Sequence, residues 1–248
     1  MEQMIRWGFL GCGKVVHKKS GDAFRNVPHS RIEAIMRRDL DAAKASAEYF
    51  GAPQYCNSVE ELLAMDIDAV YVATPPGMHY EQAMQCLKAG KAVYLEKPFA
   101  RNYTEAKELT EAFEKAGVPL YIGHYRRALS RFLKIREMLR EGRIGKPIFI
   151  EFELNRIFSP KEAEESWLYN PVLSGGGKFY DISPHTVDIL NFLFGDMVEV
   201  EGYAKNLGTG CPLEMKWSYA LSLKKRYLAR RDLTVLPKKS QIVSMYWG

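Results

Sequence analysis

Two apolar, β-branched runs constrain this chain more than any other feature: Asp68-Ala69-Val70-Tyr71-Val72-Ala73-Thr74-Pro75-Pro76 and Lys91-Ala92-Val93-Tyr94-Leu95-Glu96-Lys97-Pro98. Each ends abruptly in polar or proline-containing sequence, and the interval His79 to Ala89 reads as a helix stopped by Gly90. Strand, helix, strand is the unit of a parallel sheet, and it delivers the polar ends of both strands to one edge. Ligands of open parallel sheets bind outside the carboxyl ends of the strands. Lys97 therefore stands where a lysine can meet a substrate. On spacing alone a solvated surface lysine fits better, since lysines at strand ends are common.

The segments before this unit extend the same pattern. Arg6-Trp7-Gly8-Phe9-Leu10 reads as a short buried strand, followed by Gly11-Cys12-Gly13-Lys14-Val15-Val16 and a helical stretch to about Arg25. The first glycine permits a tight turn, and the second lets the backbone approach a pyrophosphate attracted by the helix N-terminus. Gly11, Gly13, Lys14 and Val15 are thus candidate dinucleotide-binding residues. Val16 stands where the usual fingerprint has Gly or Ala, and a methyltransferase also places a Gly-x-Gly loop after its first strand. Ser30 to Met36 is the second strand, ending in Arg37-Arg38-Asp39. Two guanidiniums there suit a ribose 2′-phosphate, which arginine grips bidentately, so NADP is expected over NAD. The alternative is that both arginines are merely solvated. Asp39 caps a helix from Leu40 to Phe50, and Ser58-Val59-Glu60-Glu61 opens another with a capping box. Thr74-Pro75-Pro76 is a rigid turn on the ligand edge. Thr74, Pro75, Glu96 and Lys97 are counted as cofactor neighbours, and so is His79, although His79 serves as readily as a cap or packing residue.

Composition excludes several classes. Hydrophobic content of 47% with 26% charge is that of a globular domain. No run approaches the roughly 18–20 apolar residues of a membrane span. The N-terminus runs straight into a strand, which reads as no signal peptide. Four scattered cysteines, Cys12, Cys56, Cys86 and Cys211, indicate reduced thiols in a cytoplasmic protein, with no disulfide frame and no metal site. From Pro212 onward eight Lys/Arg face only Glu214 and Asp232, so the net charge of +5 resides in the tail. The body carries no basic motif for nucleic acid.

Beyond Lys97, an amphipathic helix spans Tyr103 to Ala116, and Val118 to Gly123 is another buried strand. His124-Tyr125-Arg126-Arg127 follows at its carboxyl end. Tyr125 and Arg126 are candidate substrate contacts for hydroxyl or anionic groups, or else a polar loop with its arginines in salt bridges. Ala128 to Glu141 is a helix, and the domain boundary is placed near Gly123. From Ile148 to Phe158 apolar and polar residues alternate with a period of two, which starts a new sheet. Ser159 to Pro171 reads as an irregular loop, with Trp167 and Tyr169 as substrate walls. Then comes Ser174-Gly175-Gly176-Gly177-Lys178-Phe179-Tyr180-Asp181-Ile182-Ser183-Pro184-His185. Asp181 and His185, four apart, share a helix face. An imidazole beside a carboxylate suits acid/base work, while a structural helix start with a satisfied histidine explains the same residues. Pro184 is expected in the first helical turn.

An N-terminal Gly-x-Gly, then Glu-Lys-Pro, then Gly-Gly-Gly-x-x-x-Asp-x-x-x-His resembles the glucose–fructose oxidoreductase / inositol dehydrogenase / MocA family, over about residues 4 to 206. The resemblance implies an α/β chain. Residues 1–123 form a doubly wound Rossmann domain, and residues 124–248 a substrate and oligomerisation domain with a mostly antiparallel open sheet. It implies hydride transfer between NAD(P) and a hydroxyl or carbonyl carbon of a sugar-like or polyol substrate. Lys97 would bind the reacting oxygen and His185, with Asp181, would act as acid/base. Homo-oligomers are usual in the family.

Family members run well past 300 residues, whereas this chain has 248, and its sequence from roughly Leu213 onward departs from the pattern. Lys224-Lys225-Arg226 and Arg230-Arg231 show no period of two, and Tyr219 to Tyr227 reads as a basic helix. The expectation is a second domain with an incomplete sheet, from a reading frame altered near residues 211–216. A non-catalytic NADP(H)-binding protein is then the alternative function.

Overall fold

The computed structural model describes residues 4–145, 147, 149–158, 166–205, 216–223 and 228–237. It divides into two compact units, Met1–Gly123 and His124–Gly248.

The first unit is a six-stranded sheet with the order β3-β2-β1-β4-β5-β6 and every pairing parallel. Its strands are β1 (Ile5–Leu10), β2 (Ser30–Met36), β3 (Gln54–Cys56), β4 (Ala69–Val72), β5 (Ala92–Leu95) and β6 (Leu120–Ile122). The intervening helices are α1 (Gly21–Asn26), α2 (Leu40–Phe50), α3 (Val59–Ala64), α4 (His79–Lys88) and α5 (Tyr103–Ala116). Side chains alternate across a strand, so β4 feeds two cores, each with helices laid against it. Val70 and Val72 join Leu10, Val93, Leu95, Leu109 and Phe113 on one face. Tyr71 joins Phe9, Ile32, Ile35 and Phe50 on the other. All four residues of β4 are buried, which explains its unbroken apolar sequence.

Local chemistry sets the helix starts. Asp39 Oδ1 accepts from the Ala42 amide at 2.9 Å, Ser58 Oγ from Glu61 at 3.2 Å and Asn102 Oδ1 from Glu105 at 3.0 Å. Such caps contribute roughly 0.5–2 kcal/mol each. The Arg6 guanidinium and its amide N–H grip Asp68 with three contacts of 2.8–2.9 Å, fastening the start of β1 to the entrance of β4.

The second unit carries α6 (Ser130–Arg140) and the strands β7 (Phe149–Phe158), β8 (Met197–Lys205), β9 (Lys216–Leu223) and β10 (Leu228–Pro237). Its long helix α7 covers Gly177–Phe194. The sheet order is β7-β10-β9-β8, with β7 and β10 parallel and the other two pairings antiparallel. Leu190 and Phe194 of α7 pack on Tyr219 of β9. Two expectations are corrected here. Residues 216–223 and 228–237 are strands, not part of a basic helix over 219–227, because each pairs along its length within the sheet. Pro184 lies well inside α7, past the first turn. The helix runs through it at the cost of the hydrogen bond that the Tyr180 carbonyl would otherwise receive. Residues 159–165 of the expected loop and Cys211 lie outside the described residues.

No helix among the described residues is long and apolar enough to cross a membrane. Among those residues no group of three or more His, Cys, Asp or Glu is placed to hold a metal ion.

Candidate functional site

In the first unit the backbone brings the singled-out segments to one edge. Each ladder continues one residue past its strand: Gly11 N–H donates to Met36 O at 3.1 Å, Arg37 to Cys56 O at 3.2 Å and Ala73 to Leu10 O at 2.9 Å. Glu96 N–H donates to Val72 O at 3.0 Å and Gly123 N–H to Leu95 O at 2.8 Å. The strand order reverses between β1 and β4, and the crevice at such a switch point is where open α/β sheets hold ligands. Gly11 and Thr74 flank it. Gly11 has φ +86°, and a Cβ there would meet Thr74 Cγ2 at 2.8 Å and Ala73 O at 3.1 Å. A Cβ on Gly13 would meet nothing within 4 Å. The loop is therefore closed on its sheet side and open outward, as a cradle for a pyrophosphate requires. Gly13, Lys14 and Val15 are exposed on that open side, Val15 by 53%. The helix behind them includes a π-helical turn, Val16–Ser20, before α1.

Arg37 and Arg38 differ. Arg37 Nη1 donates to Ser46 Oγ at 3.1 Å, and to Ala42 O at a marginal 3.4 Å. Ser46 Oγ itself donates to Ala42 O at 2.8 Å and lies 3.1 Å from His17 Nε2. Arg37 thus ties the end of β2 to α2, and Ser46 joins α2 to the helix that follows the loop through His17. Arg38 is exposed at the same strand end. Cys12, inside the loop, is buried, which pushes its thiol pKa up and suits it to packing more than to reactivity.

Glu96 and Lys97 occupy the end of β5, half-buried. Glu96 Oε1 accepts from the Tyr71 hydroxyl at 2.6 Å and Oε2 from the Lys97 amide at 3.2 Å. His79, expected at the cofactor, has a side chain that is 0% exposed. Nδ1 lies 2.9 Å from Pro98 O and Nε2 2.9 Å from Thr74 O. Burial pushes its pKa below the ordinary histidine value against the pull of those carbonyls. It bridges the Thr-Pro-Pro turn to the Glu-Lys-Pro turn from inside. Thr74 Oγ1 is further held by Gln82 Oε1 at 2.6 Å, with Pro75 half-buried beside it.

In the second unit a 3₁₀ turn, Tyr125–Ala128, lies against α7. The Tyr125 ring, half exposed, stands edge-on to His185 with centroids 5.5 Å apart. Asp181 and His185 are half-buried on α7, four residues apart. Arg126 Nε is shielded from solvent and has no hydrogen-bond acceptor among the described residues. Arg127 Nε donates to Asp188 Oδ1 at 2.7 Å, and His124 Nδ1 lies 3.8 Å from the same oxygen. Asp188 lies three residues beyond His185 on α7 and is buried. Gly176 precedes α7 because the Tyr180 ring occupies the place a Cβ would take. Trp167, 43% exposed, opens a separate 3₁₀ turn, Trp167–Tyr169, behind Ser166.

A glycine loop at the switch point of a 3-2-1-4-5-6 parallel sheet defines a dinucleotide-binding α/β protein. Residues 5–124 match the model described as an oxidoreductase family with an NAD-binding Rossmann fold, and residues 132–234 match the GFO/IDH/MocA C-terminal domain. The chain belongs to the GFO/IDH/MocA oxidoreductase family. The second match runs to residue 234, past the point where the sequence was expected to leave the family. An oxidoreductase of Formosa agariphila is 38% identical over 205 residues, covering 81% of this chain and 64% of its own length. The 1,5-anhydro-D-fructose reductase of Ensifer adhaerens is 32% identical over 194 residues, covering 78% of this chain and 57% of its own. The chain thus spans less than two thirds of these relatives. The WlbA dehydrogenase of Bordetella pertussis, solved with NADH and UDP-GlcNAcA, superimposes with a TM-score of 0.86 at 24% identity, over 97% of this chain and 70% of that one. That likeness is one of fold.

Proposed function

We propose that the chain supports hydride transfer between NAD(P) and a hydroxyl or carbonyl carbon of a sugar-like or polyol substrate. The observation that carries this reading is the placing of Lys97 at the end of β5, on the same sheet edge as the open Gly11–Gly13 loop. The outward space over Gly13 fits a dinucleotide, held by the amides of Gly13, Lys14 and Val15 with Thr74 and Pro75 beside it. Nicotinamide supplies or accepts the hydride when bound. The Lys97 ammonium stabilises negative charge developing on the substrate oxygen. His185 delivers or removes the proton, and Asp181 biases its imidazole. Tyr125 and Arg126 offer a phenol and an unsatisfied N–H to the oxygens of a polyhydroxylated substrate, with Trp167 as an apolar wall. The sugar-like substrate is further supported by similarity to the anhydrofructose reductase.

The test is NAD(P)H-coupled turnover of the full chain over a panel of aldoses, sugar acids and inositols. Turnover of a polyol supports the reading. A folded chain that binds NAD(P)H and turns over none of them is instead a non-catalytic dinucleotide binder.

We also propose NADP over NAD, with Arg38 as the principal phosphate contact, since Arg37 braces α2. Arg38→Ala should weaken NADPH binding by about tenfold, the scale of one charge-assisted contact, and leave NADH within about twofold. Arg37→Ala should weaken both. Fluorescence titration with the two nucleotides measures this, and equal losses for both in Arg38→Ala would refute the assignment.

A further inference from the structure

Tyr71 is among the largest fully buried side chains, yet its tip is polar. Its ring packs among Phe9, Phe24 and Tyr94, with centroids 4.7–5.6 Å away. Its hydroxyl lies 2.6 Å from Glu96 Oε1 and 2.8 Å from Ser20 Oγ. A phenol has one proton and a carboxylate only accepts. Tyr71 therefore donates to Glu96, and the Ser20 hydroxyl donates to Tyr71. The other carboxylate oxygen takes the Lys97 amide, and a Cβ on Gly123 would press on it at 3.3 Å. Burial and the Glu96 charge push the Tyr71 pKa well above its ordinary value, so the phenol remains a donor throughout the working pH range. Packing does not require that hydroxyl: phenylalanine would fill the same ring volume, whereas a buried hydroxyl has to be matched.

We propose that Tyr71 is a positioning residue. The relay Ser20–Tyr71–Glu96 ties the helix behind the dinucleotide loop to the Glu96-Lys97-Pro98 turn and sets where Lys97 stands. This rests on the role of Lys97 proposed above.

The test uses the full chain with Tyr71→Phe, Ser20→Ala, Glu96→Ala and the double variant Tyr71→Phe/Glu96→Ala. In an unfolding cycle, Tyr71→Phe should lower stability in the native background and much less once Glu96 is removed. Lys97 labelling by pyridoxal phosphate and borohydride, followed by peptide mapping, should change in rate by about threefold or more in Tyr71→Phe. With a polyol substrate, kcat should fall by about tenfold while KM and NAD(P)H affinity stay within about threefold. Ser20→Ala should shift the labelling rate and kcat in the same direction by less, which keeps the test open if Tyr71→Phe folds poorly. Strictly additive stability losses, or an unchanged labelling rate in both variants, overturn the relay. A native chain that turns over no polyol sinks the proposed function alone, because the unfolding cycle and the labelling rate still decide the relay.

Discussion

Replacing Lys97 with alanine is expected to lower turnover by about two to four orders of magnitude while NAD(P)H affinity changes by no more than a few-fold. The proposed contribution of Lys97 is felt where charge gathers on the reacting oxygen, an interaction that strengthens towards the transition state. The neighbouring groups remain in place without it. Glu96 is held by the Tyr71 hydroxyl and by the backbone amide of residue 97, which alanine keeps. The turn that follows is pinned by His79 through the Pro98 carbonyl. The variant should therefore fold and bind nucleotide as before. Steady-state kinetics with fluorescence titration separates the two effects, and parallel loss of binding and turnover would remove Lys97 from the chemistry.

Gly11→Ala should abolish nucleotide binding and destabilise the first unit together, by about 2–4 kcal/mol. A left-handed backbone costs an L-residue about 1–2 kcal/mol, and φ is +86° here. The new methyl group would also stand 3.1 Å from Ala73 O, a backbone atom that cannot swing aside, and 2.8 Å from Thr74 Cγ2. Relief requires the β1 and β4 ends to separate, which opens the crevice between them. Denaturant unfolding with NAD(P)H titration measures both losses. A variant of native stability and affinity would show that the loop tolerates what its contacts forbid.

The parallel sheet was legible because β4, buried on both faces, and β5, buried at Val93 and Leu95, announce themselves as unbroken apolar runs. The α2 and α3 starts were legible because Asp39 and Ser58 carry their own capping chemistry. What escaped was long-range. A strand apolar on both faces does not reveal which face each side chain serves, so the inward turn of the Tyr71 hydroxyl towards Glu96 could not be read. Arg6 and Asp68 lie 62 positions apart, and nothing local couples them. The basic stretch after residue 213 obscured β9 and β10, since strands with no clean alternation carry no period to detect. For the candidate site, the glycine loop, the Glu-Lys-Pro end and the Asp181/His185 pair had local signatures. His79 had one too, but its spacing indicated only a helical first turn and not its burial between two backbone carbonyls. The Arg127–Asp188 pair was hidden because its members come from separate elements.

The stitching of each functional loop to the neighbouring strand end has an engineering consequence. Gly11, Arg37, Ala73, Glu96 and Gly123 are laced together like a selvedge, so that edge cannot be retailored one thread at a time. Inserting a residue before any of them would pull at its neighbours. Exchanges at the proposed substrate contacts should therefore be best tolerated in the 3₁₀ turn around Tyr125 and in the segment around Trp167, where a side chain can be changed without unpicking the weave.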